Sequence, residues 1–276
     1  MLAVDALANP LDLTGRVALV TGGSGGIGRA IVSLFLQRGA KVATTFVPGV
    51  EDAQKLHETF GSPASLTFHP LDLRSADSIQ ACLDSALEED GRLDILVNNA
   101  AVGSATVAAW TDSVAAQDAA MLAINADGTL KACQHFLTLP HSGDFPRKLI
   151  NISSVGGGIA IFPGFRLSDG MSKAAVAFLT RQLGAECCHK AVDVFAVCPG
   201  ATNTEMFRQS TLNPMSEQQR TDFLKALPKG RLIEPGEIAA IVNFLAGSAS
   251  TVMNGAVIDA SMGLGVRPGI MTEMEH

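Results

Sequence analysis

The sequence predicts a doubly wound α/β fold on a seven-stranded, mostly parallel sheet. Two observations carry this expectation. Short runs rich in β-branched residues recur along the chain, and helical stretches of roughly ten or more residues separate them, the alternation of parallel βαβ crossovers. Each run is brief enough to be a strand buried on both faces. In order the strands are expected at residues 16–21, 41–46, 65–69, 93–97, 148–153, 192–198 and 256–259. No linker or composition shift divides the chain, so residues 1–276 read as a single domain.

Composition narrows the partners. With 20 Lys+Arg against 27 Asp+Glu, the formal net charge is −7. No dense Lys/Arg block is present, which argues against nucleic acid, because phosphate-backbone binding needs clustered cations. Cys82, Cys133, Cys187, Cys188 and Cys198 have neither CxxC nor Cys/His ligand spacing. They read as small apolar thiols of a cytoplasmic, reducing compartment, with no disulfide framework and no metal site. Residues 1–13 lack a basic region, so no secretory signal is expected. The longest uncharged stretch, 238–258, is broken by Asn243, Gly247, Ser248, Ser250, Thr251, Asn254 and Gly255. It reads as helix, turn and strand, and no membrane span is expected.

The chemistry begins where the first strand runs into Thr21-Gly22-Gly23-Ser24-Gly25-Gly26-Ile27-Gly28 and a helix opens. Glycines let a backbone turn tightly and approach a pyrophosphate at the helix N-terminus, where unpaired N–H groups and the helix dipole favour negative charge. Strand before and helix after are the context this motif requires, and they make the domain Rossmann-like.

The turn resembles the TGxxxGxG turn of the short-chain dehydrogenase/reductase family, and further motifs match in the family's order over roughly residues 13–265. Asp72, in Leu71-Asp72-Leu73, matches the acid near the adenine, and Asn98-Asn99-Ala100-Ala101 resembles the segment ending strand four. Asn125 matches the structural Asn of the catalytic tetrad and Ser154 its Ser. Pro199-Gly200-Ala201-Thr202-Asn203-Thr204 resembles the segment that grips the nicotinamide carboxamide. The resemblance implies a dinucleotide bound by Gly22, Ser24, Gly25, Gly26, Ile27, Gly28, Phe46, Asp72, Leu73, Asn99, Ala100, Ala101, Lys173, Pro199, Gly200, Thr202 and Thr204. It implies that Lys173 holds the nicotinamide ribose while Asn125 positions a water near it. It further implies a small-molecule substrate under a lid near 201–230, and a homo-oligomer, tetramer or dimer, pairing helices near 115–139 and 169–188.

One departure bears on mechanism. The family's YxxxK stands here as Asp169-Gly170-Met171-Ser172-Lys173, and the chain has no tyrosine at all. The stretch from Ser154 to Asp169 is also slightly longer than the family's usual spacing, with Arg166 nearby. Phenol and carboxyl have reference pKa values of about 10 and about 3.9, and a cationic Lys173 one helical turn away lowers each. An ionised Asp169 accepts a proton or complements a cationic substrate such as an iminium. Burial against apolar neighbours such as Phe165 and Met171 would instead raise its pKa into the range of a general acid. The bland alternative is that Asp169 pairs with Lys173 or caps its helix.

Cofactor choice is read at the end of strand two, where an acid would hydrogen-bond the adenosine ribose diol and select NAD. Thr44-Thr45-Phe46-Val47 contains none, so NADP(H) is expected ahead of NAD(H), with Thr45 offering a hydroxyl to a phosphate. Gly25 and Val47 occupy positions where NADP readers usually carry Arg or Lys, and Arg29 and Lys41 are less well placed. Three functions follow: an oxidoreductase moving hydride to or from a C=O or C=N carbon with catalytic Asn125, Ser154, Asp169 and Lys173; a cofactor-retaining cyclase, isomerase or dehydratase, including the bifunctional reductase/Diels-Alderase type; or a non-catalytic NAD(P)-binding protein.

Overall fold

The computed structural model describes residues 9–141, 143 and 145–266. Its strands are β1 (Val17–Val20), β2 (Lys41–Phe46), β3 (Leu66–Pro70), β4 (Ile95–Asn98), β5 (Arg147–Ile152), β6 (Val192–Pro199) and β7 (Val257–Ala260). They form one seven-stranded sheet in the order β3-β2-β1-β4-β5-β6-β7. Every neighbouring pair is parallel, so the sheet is wholly rather than mostly parallel. The helices are α1 (Gly26–Gln37), α2 (Ala53–Thr59), α3 (Ala76–Asp90), α4 (Ser104–Ala108), α5 (Val114–Leu122), α6 (Thr129–Thr138), α7 (Val155–Gly158), α8 (Leu167–Glu186), α9 (Glu205–Phe207), α10 (Glu217–Ala226) and α11 (Pro235–Ala246).

Successive strand residues feed two cores, as the period of two demands. Ala18, Val20, Ile150, Phe195 and Val197 pack with Ile31, Val32 and Phe35 of α1 and with Val242 and Leu245 of α11. Val17, Leu19, Leu149, Val192 and Val194 pack on the other face with Ile79 and Leu83 of α3, Phe136 of α6 and Leu183 of α8. Phe35, Phe136 and Phe195 are fully buried, and each such side chain contributes about 1.5–3 kcal/mol. Residues 238–258 form, as expected, the end of α11, a 3₁₀ turn (Ser248–Met253) and β7. Among the described residues no helix is long and apolar enough to cross a membrane.

Two helical expectations change. The segment between β2 and β3 is a seven-residue helix, α2, starting at Asp52, whose side chain accepts from the N–H groups of Gln54 and Lys55, and ending at Phe60. The long helix expected near 115–139 is split into α5 and α6 by a π-helical turn, Ala123–Gly128. That turn forms where Asn125 spends its side chain on another segment: its Oδ1 accepts from Val102 N at 2.9 Å and its Nδ2 donates to Val102 O at 3.0 Å. Such interruptions concentrate at functional sites.

The strand order reverses at β1, which lies between β2 and β4. In open parallel sheets the ligand crevice opens at this switch point, beyond the carboxyl ends of the strands. The expected site segments follow β1, β2, β4, β5 and β6 at that edge.

Candidate active site

The glycine turn after β1 is held from two sides. Thr45 Oγ1 accepts from Gly22 N at 2.9 Å and Thr44 Oγ1 accepts from Gly23 N at 3.1 Å. From β4, Asn99 Nδ2 donates to the carbonyls of Thr21 at 2.9 Å and Gly22 at 3.1 Å, while Thr21 Oγ1 accepts from the N–H groups of Asn99 and Ala100, both at 3.0 Å. Glycine is required at positions 22 and 28. Gly22 has φ +67° and a Cβ on it would lie 2.9 Å from Ala100 Cα; a Cβ on Gly28 would lie 2.1 Å from Gly22 O. The turn leaves Gly25 exposed, with open space where a side chain would stand. This is a cradle that admits close approach of a phosphate chain to the start of α1, and the residues present fit a dinucleotide.

Several of the expected residues frame the cradle. Thr45 is buried and its hydroxyl accepts from the turn, so it supports the loop. Asn99 does the same from the other side. Asp72 is gripped by Arg74, whose Nε and Nη2 donate to its carboxylate at 2.9 and 2.7 Å, holding its pKa below the usual carboxylate range. The cations weighed for an NADP phosphate are committed elsewhere: Arg29 donates to Thr59 and stacks on Phe60, and Lys41 pairs with Asp90. Phe46, Ala100 and Ala101 are half-buried along the crevice edge, and Leu73 is buried there.

Ser154 follows β5 and accepts from Gly156 N at 3.2 Å, which leaves its own hydroxyl proton free to donate. The extra length after Ser154 folds into a tight junction. A Cβ on Gly157, which has φ +89°, would lie 2.2 Å from Gly170 O, and Phe165 packs over both Gly156 and Gly170. Arg166 caps this junction from the start of α8: its Nε and Nη2 donate to Asp118 Oδ1 at 2.9 and 2.6 Å, and Ser168 Oγ adds a bond of 2.6 Å to the same oxygen. The Ser168 bond and the Arg166 bonds hold Asp118 below the ordinary carboxylate range. Residue order does not reveal the Asp118–Arg166–Ser168 cluster; the longer Ser154–Asp169 spacing is its only trace.

Asp169 stands in the first turn of α8, and no side-chain bond caps this helix. Among the described residues no hydrogen bond or ion pair reaches the Asp169 carboxylate. Burial raises its pKa, opposed by the charges of Lys173 and Arg166. Met171, expected to shield it, is instead exposed. Lys173, one turn on, donates from Nζ to Ile152 O at 3.3 Å, and burial lowers its pKa against the pull of Asp169. Ser153 Oγ donates to Lys173 O at 2.8 Å and so ties α8 to the end of β5. Asn125 does not face Lys173 with its side chain, which is spent on Val102; its carbonyl accepts from Thr129 Oγ1 at 2.8 Å. Behind the site a buried chain runs from Asn98 Nδ2 to Asn151 Oδ1 at 2.9 Å and from Asn151 Nδ2 to Thr180 Oγ1 at 3.0 Å, joining β4, β5 and α8.

After β6, Pro199 is buried, and the peptide N–H of Gly200 donates to Ala260 O at 3.3 Å. Thr202 Oγ1 donates to Gly200 O at 2.9 Å. Thr204 caps α9, accepting from Phe207 N at 3.2 Å, and its methyl lies against Gly26, 3.1 Å from where a Cβ there would stand. Met206 Cγ lies 3.0 Å from the corresponding position on Gly103. The segment expected as a lid therefore meets both banks of the crevice. Burial pushes the Cys82 and Cys133 thiols up to about 12, and among the described residues no group of three or more His, Cys, Asp or Glu could hold a metal ion.

Residues 22–265 match the family described as Enoyl-(Acyl carrier protein) reductase. This chain belongs to the short-chain dehydrogenase/reductase family. It is 34% identical to oxidoreductase UcpA of Salmonella typhimurium over 90% of this chain and 94% of that protein. It is 30% identical to the 3-oxoacyl-[acyl-carrier-protein] reductase FabG of Vibrio cholerae, over 92% and 99%. Among solved structures, the Pseudomonas aeruginosa RhlG/NADP active-site complex superposes with a TM-score of 0.80 at 30% identity, covering 93% of this chain and 98% of that one. The relatives make the chain an NAD(P)-dependent oxidoreductase of this family, and the domain is the family's α/β fold.

Proposed function

We propose that this enzyme moves hydride to or from a C=O or C=N carbon of a small organic substrate with Asp169 in the place of the family's tyrosine. The observation that carries this reading is the Asp169 carboxyl: half-buried, free of any partner among the described residues, raised in pKa by burial, and under the field of Lys173. A carboxylate meant only to cap or to pair would spend its oxygens on the helix N-terminus or the lysine, as Asp118 and Asp52 do on their partners.

Gly22, Gly26 and Gly28 would cradle the phosphates and Lys173 the nicotinamide ribose; the bound nicotinamide supplies or accepts the hydride. Protonated Asp169 gives its proton to the substrate oxygen or nitrogen as the neighbouring carbon gains hydride, and the carboxylate that forms is stabilised by Lys173. Ser154 donates a hydrogen bond to the same heteroatom. With a substrate already cationic, Asp169 acts in its ionised form and complements the charge.

The protein works as a homo-oligomer in a reducing compartment, paired through α8 and the α5–α6 helices. Leu167, Met171 and Phe178 lie exposed along α8, a stripe suited to burial against a second copy, and all five cysteines are free. Light scattering at micromolar concentration tests the pairing, and a monomer would refute it.

The decisive measurement on the site uses Asp169→Asn with reduced dinucleotide and a panel of small ketones and cyclic imines, followed by nicotinamide absorbance. Dinucleotide binding is retained and kcat falls on the order of 10²-fold. Asp169→Tyr gains ketone reduction. An Asp169→Asn variant that binds dinucleotide and turns over like the parent would overturn the role.

A further inference from the structure

The glycine cradle and Asp169 lie at the carboxyl edge of the sheet, and the opposite edge carries a second opening. A cavity of about 220 Å³ stands where β5 and β6 begin, lined by Leu137, His141, Arg147, Lys190, Ala191 and Val192. Arg147 and Val192 are the paired first residues of the two strands, and Arg147 N donates to Ala191 O at 2.9 Å.

Arg147 is only 5% exposed, and its guanidinium is held on one side. Nη1 donates to Phe136 O at 2.7 Å and to Leu139 O at 3.1 Å, carbonyls at the C-terminal end of α6, and the group stacks on the Phe136 ring 4.7 Å from its centre. Nε is buried without a hydrogen-bond partner, and no acceptor among the described residues reaches Nη2. Nε and Nη2 together form the edge with which a guanidinium grips an oxyanion in two parallel bonds. Three other arginines of this chain spend that edge on a carboxylate: Arg74 on Asp72, Arg92 on Asp94 and Arg166 on Asp118.

No described carboxylate does the same for Arg147. Asp94, whose charge acts on it, is itself held by Arg92, and Glu186 accepts from Gln182. Burial raises the pKa of the nearby Cys187 thiol, which is therefore neutral at pH 7. His141 spends Nε2 on Phe145 O at 2.9 Å. Lys190, the second cation of the cavity, is exposed and has no ion pair among the described residues. A cation buried without a counter-ion costs folding free energy, and here the missing negative charge has a cavity to occupy.

We propose that this cavity binds a small oxyanion, a phosphate or carboxylate group, gripped by the free edge of Arg147 and by Lys190. The site lies across the sheet from the dinucleotide crevice and is independent of the hydride reaction. An anion there would brace the junction of α6 with β5, since Arg147 already joins the two.

The test is calorimetric titration of the intact protein at fixed ionic strength with inorganic phosphate and, separately, with malonate, chloride serving as the reference anion. The parent binds at least one of them with a dissociation constant on the order of 1 mM, and the tighter of the two names the headgroup. Lys190→Glu, at an exposed position, brings in a competing carboxylate and weakens binding on the order of tenfold or more. Arg147→Lys keeps a cation but loses the two-pronged edge, with a loss of similar size. Should that variant fail to fold, Lys190→Glu carries the test alone. Phosphate can also enter the glycine turn, so the titrations are repeated with NADH and NADPH both in excess, where binding at the amino edge persists. Absence of binding by the parent, displacement by the dinucleotides, or unchanged affinity in Lys190→Glu overturns the site.

Discussion

The two edges of the sheet treat charge in opposite ways. At the amino edge, where β4, β5 and β6 begin, the buried charges of Lys148, Asp193 and Asp94, unlike that of Arg147, are paired. Lys148 Nζ donates to Asp193 Oδ2 at 2.6 Å and to Ser250 Oγ at 3.0 Å, and Thr251 Oγ1 adds a bond to the same carboxylate at 2.8 Å. Asp94 accepts from Arg92 and from Val17 N. At the carboxyl edge Asp169 and Lys173 lie one helical turn apart, and neither carries an ion pair among the described residues. A charge buried with partners holds the fold, and one left without them costs stability and, in the function proposed above, is held for a ligand.

That contrast is broken or sharpened by measurements beyond those already given. The largest effect belongs to the amino edge. Lys148→Met strands the Asp193 carboxylate in a buried setting and is expected to cost about 3–5 kcal/mol in denaturant unfolding, with dinucleotide affinity unchanged. Combining it with Asp193→Leu recovers much of the loss, since the unpaired charge goes. A single-variant loss below about 1 kcal/mol would show the pair to be no structural element.

Between the edges, Asn151→Leu removes the middle of the Asn98–Asn151–Thr180 chain and takes one partner each from buried Asn98, Cys133 and Thr180. The expected loss is about 1–3 kcal/mol, read as a lower denaturant midpoint with an unchanged slope.

The smallest effect is at the site and has the opposite sign. Because burial raises the folded pKa of Asp169 above its unfolded value, its ionised form costs stability at neutral pH. As pH falls through the folded pKa towards the unfolded one, that cost is relieved. Asp169→Asn is therefore expected to be about 1 kcal/mol or less more stable than the parent at pH 7, the gap closing as pH falls. A variant less stable than the parent at pH 7 would place Asp169 with the structural charges. The same titration enters catalysis: kcat/KM for reduction of a neutral carbonyl declines as pH rises through the Asp169 pKa, which burial raises above its ordinary value, and Asp169→Asn lacks that limb.

Much of the fold is legible in the amino-acid sequence by itself. The strands, the glycine turn and the helix after it follow from runs and spacings a few residues long, and β2 occupies residues 41–46 as expected. The absence of tyrosine is a property of composition alone. Local pattern encodes these features because each depends on near neighbours: pleat and turn are decided within a few residues.

Tertiary structure decided what those residues face. Thr45 and Asn99 stand in the motifs that touch a dinucleotide, yet their polar atoms turn to Gly22 and Thr21 because the glycine turn needs support from both adjoining strands. The π-helical turn at Asn125 arises from bonds to Val102, a partner 23 positions away. The freedom of the Asp169 carboxyl is a statement about every described group that might have reached it. Burial, pairing and the field at a titratable group are sums over atoms brought together by the fold, so the order of residues could name Asp169 and Lys173 but not the environment that sets their charge.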